Sequence, residues 1–233
     1  MTVLGTVHTV LRGTAQPFSH LDGRPGGMSA IAKSPVAGPV HAGPLGLEGD
    51  MQGDLKVHGG PDKAIHHYPH EHYAAWQAEL GDLPVLRQCG AFGENLSSTD
   101  MTEQTLCLGD VVRLGSSTLV LTQTRQPCWK LNARFGRADM ARRVQTTGRT
   151  GWYWKVQESG TVQAGDAMLL LERPYPDWPL TRVLQVLYQR CLERDELLAL
   201  AALPLPPSWQ KMLAARLERG QVEDWSRRIN GGA

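Results

Sequence analysis

Through residues 1–173 the apolar positions fall in short stretches separated by Gly, Pro, Asn and Asp, and no sustained 3.6-residue stripe develops. Residues 3–10, 106–114, 118–122 and 167–171 read as strands on this pattern. Leu108-Gly109-Asp110-Val111 and Ala164-Gly165-Asp166-Ala167 give two of them similar entries, either two ordinary tight turns or a trace of a repeat. Many short strands without regular helix–strand alternation predict a barrel rather than a parallel sheet. Two helices interrupt it. One spans about 70–80, where Pro69 is compatible with a first turn and Tyr73, Trp76 and Leu80 share a face. The other spans about 138–146.

The period changes after Pro174. Residues 174–178 (Pro-Tyr-Pro-Asp-Trp) form a linker, and Leu180, Val183, Leu184, Leu187 and Cys191 then keep helical spacing. Asp195 is the expected cap of a second helix, and Pro204, Pro206 and Pro207 break it. Ser208 is the expected cap of a third, which Gly220 ends, and Val222, Trp225 and Ile229 give a last amphipathic turn. The expected class is mainly β with α: a barrel domain over residues 1–173 and a small three-helix appendage over 178–233.

Charge narrows the function. The 233 residues carry 24 Lys and Arg against 23 Asp and Glu, a net charge of +1, which argues against a polybasic surface for nucleic acid. No apolar run approaches the ~20 residues of a membrane span. The start, residues 1–10, lacks the basic and greasy segments of a signal peptide, so a cytoplasmic location is expected. Cys89, Cys107, Cys128 and Cys191 are far apart without a Cys-x-x-Cys spacing and are expected as free thiols.

Four segments carry candidate chemistry. In Arg125-Gln126-Pro127-Cys128-Trp129-Lys130, Pro127 ends a β-rich run, and Arg125 and Lys130 flank Cys128. Nearby cations favour a thiolate, which is both nucleophile and soft metal ligand; the competing reading is a buried packing cysteine. Cys89, Cys107 and Cys191 lack such cations and read as packing residues. In His58-Gly59-Gly60-Pro61-Asp62-Lys63-Ala64-Ile65-His66 the glycines make either an anion-binding turn, helped by His58, Lys63 and His66, or a plain Gly-Pro turn. In Gly90-Ala91-Phe92-Gly93-Glu94-Asn95-Leu96, Asn95 serves either a polar pocket or the turn itself. His66, His67, His70 and His72 raise zinc, but Pro69 interrupts their helix and no His-Glu-x-x-His spacing appears, so a solvated helix start is the expectation.

Together and in this order, these segments resemble MOSC-domain proteins of the YiiM type. The resemblance rests on Ser29-Ala30-Ile31-Ala32-Lys33-Ser34-Pro35-Val36, Leu45-Gly46-Leu47-Glu48-Gly49-Asp50, His58-Gly59-Gly60-Pro61-Asp62-Lys63-Ala64, His67-Tyr68-Pro69, Glu71-His72-Tyr73, Phe92-Gly93-Glu94-Asn95-Leu96 and Pro127-Cys128-Trp129-Lys130-Leu131-Asn132. Ser208-Trp209 and Val222-Glu223-Asp224-Trp225-Ser226-Arg227-Arg228 resemble the three-helix extension. Trp129 stands where the family commonly has Tyr. The resemblance implies a twisted β-barrel that binds molybdenum cofactor, with Cys128 as the protein ligand to the metal. It implies reduction of N-hydroxylated compounds such as hydroxylaminopurines, a detoxifying reaction, with electrons from a separate reductase. Lys33, Lys63, Arg125 and Lys130 are the expected counter-charges to the cofactor, with His58, Asn95 and Asn132 as further binding residues and His58 or His66 as proton relay. The alternatives are a non-catalytic cofactor carrier and a cysteine-based sulfur transferase. The helical tail is expected to pack on the barrel, with a homodimer contact or a reductase docking site as lesser readings.

Overall fold

The computed structural model describes residues 2–53 and 59–232. The strands are β1 (Thr2–Arg12), β2 (Gln16–Ser19), β3 (Pro25–Ser29), β4 (Ser34–Pro35), β5 (Val40–Gly43), β6 (Gly46–Leu47), β7 (Ile65–Pro69), β8 (Leu96–Thr99), β9 (Val111–Leu114), β10 (Ser117–Thr124), β11 (Trp152–Glu158), β12 (Gly160–Val162) and β13 (Ala167–Glu172). The helices are α1 (Glu71–Leu80), α2 (Lys130–Phe135), α3 (Met140–Thr147), α4 (Leu180–Tyr188), α5 (Arg194–Ala201), α6 (Pro207–Arg219) and α7 (Ser226–Asn230).

Seven strands close a barrel in the order β13-β9-β10-β11-β7-β8-β1, and β1 returns to β13. β1 closes the ring because it is long and bulged: residues 2–6 pair with β13 and residues 6–10 with β8. A Cβ on Gly5 would lie 2.2 Å from the Thr99 carbonyl oxygen, so only glycine lets the strands approach there. The barrel pairs are antiparallel except β7 with β8. A hairpin of β2 with β3 and a small sheet of β12, β5 and β6 lie outside the ring.

Alternation along the strands sorts the side chains into two cores. Ile65 of β7 and Trp152, Trp154 and Val156 of β11 join the first core, which fills the barrel. Tyr68, on the opposite face of β7, joins a second core with Trp76 of α1, Leu131 of α2 and Val144 of α3. The first core continues into Leu180, Val183 and Leu187 of α4, Leu200 of α5 and Trp209 and Leu213 of α6. The tail helices therefore complete the hydrophobic interior that the barrel begins.

Several elements depart from the sequence pattern. Only residues 111–114 of the expected strand 106–114 pair as β9; the earlier part turns, with the Asp110 carboxylate accepting from the Cys107 N–H at 2.9 Å. Pro206 and Glu193, not Ser208 and Asp195, occupy the N-cap positions of α6 and α5. Pro207 has no N–H to lose at the first turn, so the helix starts two residues earlier than a Ser208 cap requires. β7 replaces the expected solvated helix start: His66 and His67 are buried strand residues. Among the described residues, no helix is long and apolar enough to cross a membrane.

Candidate active site

On its outer face, β7 presents His66 beside Tyr153 of β11, ring centroids 5.0 Å apart. β10 ends at Thr124, and the chain then runs through Arg125 and Cys128 into α2. Cys128 is half-buried and lines a cleft with Arg125, Lys130, Lys63, His66 and Tyr153. The opposite wall holds Lys33, Asp50, Phe92 and Asn95. The cleft encloses about 660 Å³, counting the space open to solvent at its mouth.

Cys128 is held by its neighbours on both sides. The Trp129 N–H donates to the Arg228 carbonyl at 2.8 Å, and the Arg228 guanidinium donates to the Pro127 carbonyl. The Trp129 ring stacks on His20, with centroids 3.6 Å apart and planes 8° apart. The hairpin and α7 thus fix the backbone on either side of the thiol.

The opposite wall is a network centred on a carboxylate. Asp50 is ion-paired with Lys33, both almost wholly buried, and accepts from the Gly13 N–H at 2.7 Å and from Asn95 Nδ2 at 2.8 Å. Burial pulls the Lys33 ammonium below its usual range against the attraction of Asp50. Asn95 also accepts from the His66 N–H at 3.1 Å and donates to the Leu11 carbonyl at 3.3 Å, so its amide is spent on binding β1, β7 and Asp50 together. The turn before it is built around Glu94, which is fully buried and accepts from the Gly90 and Phe92 N–H groups and from the Tyr73 hydroxyl. Gly93 sits at φ 75°, and a Cβ there would meet Ile31 at 2.9 Å.

Two polar atoms in the cleft stand out. Arg125 Nη1 and His66 Nε2 are buried without a hydrogen-bond partner among the described residues. Burial first, then the Arg125 cation, holds the His66 imidazole well below its ordinary range, so it is neutral at physiological pH. Burial also lowers the Lys63 ammonium, opposed by Cys128 and Asp62. Arg125 Nη1 and His66 Nε2, as buried polar atoms, call for a partner that completes them.

The structure therefore brings Cys128, His66, Lys33, Lys63, Asn95, Arg125 and Lys130 to one cleft. His58 lies outside the described residues. Asn132 does not join them: its amide donates to the Ile229 carbonyl at 2.8 Å and accepts from the Ala141 N–H at 2.7 Å, tying α2 to α7 and α3. Of the four clustered histidines, His67 faces the barrel interior and His72 is paired with Glu103 at 2.7 Å, so they do not converge on one metal. Asp50 and Tyr153 were not expected in the cleft. Asp50 closes a conspicuous Gly-rich stretch, but its pairing with a lysine 17 residues away is a tertiary fact.

The sequence and fold both have counterparts. Residues 54–169 match the MOSC domain, and residues 178–220 match the YiiM-like 3-alpha helix domain. Protein YiiM of Escherichia coli (strain K12) is 40% identical over 219 residues, covering 94% of this chain and 96% of that protein. A protein named "Reductase" from Gibberella moniliformis is 37% identical over 190 residues, 81% of this chain but 34% of its own length. The crystal structure of YiiM from Geobacillus stearothermophilus superposes with a TM-score of 0.77 at 28% identity, covering 91% of this chain and 99% of that one. With both domains matched in order and a relative at 40% identity along nearly its full length, the chain belongs to the YiiM type of MOSC-domain proteins.

Proposed function

We propose that this chain reduces N-hydroxylated compounds, using molybdenum cofactor held through Cys128 and electrons from a separate reductase. The observation that carries the reading is the cleft itself: a half-exposed thiol among four basic side chains, with Arg125 Nη1 and His66 Nε2 buried beside it and unpartnered among the described residues. MOSC domains are associated with molybdenum cofactor in general, and the Gibberella relative is named a reductase. The donor set fits the cofactor: a soft sulfur for the metal, and cations for a phosphate-bearing pterin.

When bound, the cofactor supplies two-electron redox chemistry at an oxophilic metal. Cys128 contributes the thiolate ligand. Lys63, Arg125 and Lys130 balance anionic charge, while the Lys33–Asp50 pair forms a fixed wall. The substrate change is R–NHOH with two electrons and two protons going to R–NH₂ and water. His66, neutral and without a partner at Nε2 among the described residues, relays one of these two protons from bulk solvent to the departing hydroxyl.

The test is donor-dependent reduction of a hydroxylaminopurine by the chain and by Cys128→Ala, each made in a cofactor-producing host. Loss of turnover in Cys128→Ala is expected, and an unchanged rate would overturn the proposal. A chain that retains molybdenum but turns over with no reductase would be a carrier. Thiol-dependent sulfur transfer without molybdenum would instead identify a sulfur transferase.

A further inference from the structure

Away from the cleft, three side chains from distant parts of the chain converge. His8 lies within β1, His70 directly precedes α1, and Cys89 precedes the turn built around Glu94. Barrel pairing brings them together: β1 pairs with β8, β8 pairs with β7, and the His70 N–H donates to the Ser98 carbonyl at 2.8 Å. Their ligand atoms all lie within 4.8 Å of one another. Cys89 Sγ is 3.5 Å from His70 Nδ1, and the His8 and His70 rings are 4.2 Å apart, tilted by 35°.

We propose that His8, His70 and Cys89 form a binding site for a divalent ion of the zinc class, separate from the cleft. Two imidazoles and a thiolate are a zinc donor set, and three protein ligands leave a fourth tetrahedral position for water. Tetrahedral zinc spaces its nitrogen and sulfur ligands by roughly 3.3–3.6 Å, a distance that the Cys89–His70 pair already has. The remaining approach falls to His8, the exposed member of the three. Burial is graded from Cys89, buried, through His70, half-buried, to His8, so an ion reaches the thiol from solvent along the imidazoles. Without a metal, Cys89 and His70 face each other as a hydrogen-bonded pair. Burial raises the Cys89 thiol, and burial together with His8 depresses protonation of His70. A bound cation reverses the first effect and uses the second, since it needs thiolate and neutral imidazole. The site also has a mechanical consequence. Cys89 begins the turn that carries Phe92, Gly93 and Asn95 to the cleft, so a metal here fastens that turn to β1.

The experiment titrates the full-length chain with Zn²⁺ alone against a chromogenic chelator, and records the Co²⁺ spectrum. Wild type is expected to bind one equivalent of zinc. His8→Ala, His70→Ala and Cys89→Ser should each weaken that equivalent by about 10-fold or more, since even outer-sphere partners contribute this much. The near-ultraviolet thiolate-to-cobalt band should vanish in Cys89→Ser and persist in Cys128→Ser. His8→Ala removes only an exposed side chain, so unchanged thermal unfolding without metal will separate ligand loss from misfolding. The proposal is overturned if wild type binds no zinc in the micromolar range, if the three variants bind as wild type does, or if the cobalt band depends on Cys128.

Discussion

At the residue scale, His67 shows how a titratable group becomes structural. It lies between Trp152 and Trp154 in the barrel interior, and Nδ1 accepts from the Trp154 indole at 3.0 Å. Indole nitrogen only donates, so the neutral ring carries its proton on Nε2 and gives it to Ser98 Oγ at 2.6 Å. Burial pushes its pKa down to about 3 from 6.5. The folded state therefore binds fewer protons than the unfolded state between these values, and stability must fall as pH drops below 6.5. Chemical denaturation at pH 7.5 and pH 5 should show a loss of about 2 kcal/mol from His67 alone, reduced in His67→Gln. His66 adds to the loss in the same direction. Asp50 makes the complementary point about charge. Asp50→Ala leaves the buried Lys33 ammonium uncompensated and should cost about 3–5 kcal/mol in urea unfolding.

At the element scale, legibility followed how the apolar pattern is punctuated. β1 was readable because Thr6 and His8 flank Val7 on its outer side, and β10 and β13 because each holds a short apolar run behind a turn signal, Gly115-Ser116 and Gly165-Asp166. β7 was not, because helices cover its outer face and every one of its residues is buried; its two histidines looked like a polar surface. α2 has six residues, too few for periodicity to declare itself. α7 was seen as an amphipathic turn, but its destination against α2 and α3 is tertiary. That destination matters, because α7 supplies the carbonyls that hold Trp129 and Asn132. Ile229, 3% exposed in the second core, is its anchor. Ile229→Ala should lower stability by about 2–4 kcal/mol in denaturant unfolding, and a change near zero would mean that α7 is not docked as described.

At the scale of the whole molecule, the cleft forms where the barrel meets its helical cladding. β7 and β10–β11 supply one wall, and segments from residues 29–53 and 90–95 supply the other. Cys128 and its flanking cations were visible in the chain because thiol and charge sit within a few residues. Asp50 and the spent amides of Asn95 and Asn132 were not, because hydrogen bonds made across tens of residues decide whether a polar side chain serves a ligand or the fold. The proposed function rests on Cys128 retaining a metal in that cleft. The most direct check is molybdenum per chain, by elemental mass spectrometry, on wild type and Cys128→Ala purified from one cofactor-producing host. Near-stoichiometric molybdenum in wild type and a loss of about 10-fold or more in Cys128→Ala, with thermal unfolding unchanged, are expected. Equal molybdenum in the two proteins would contradict the account.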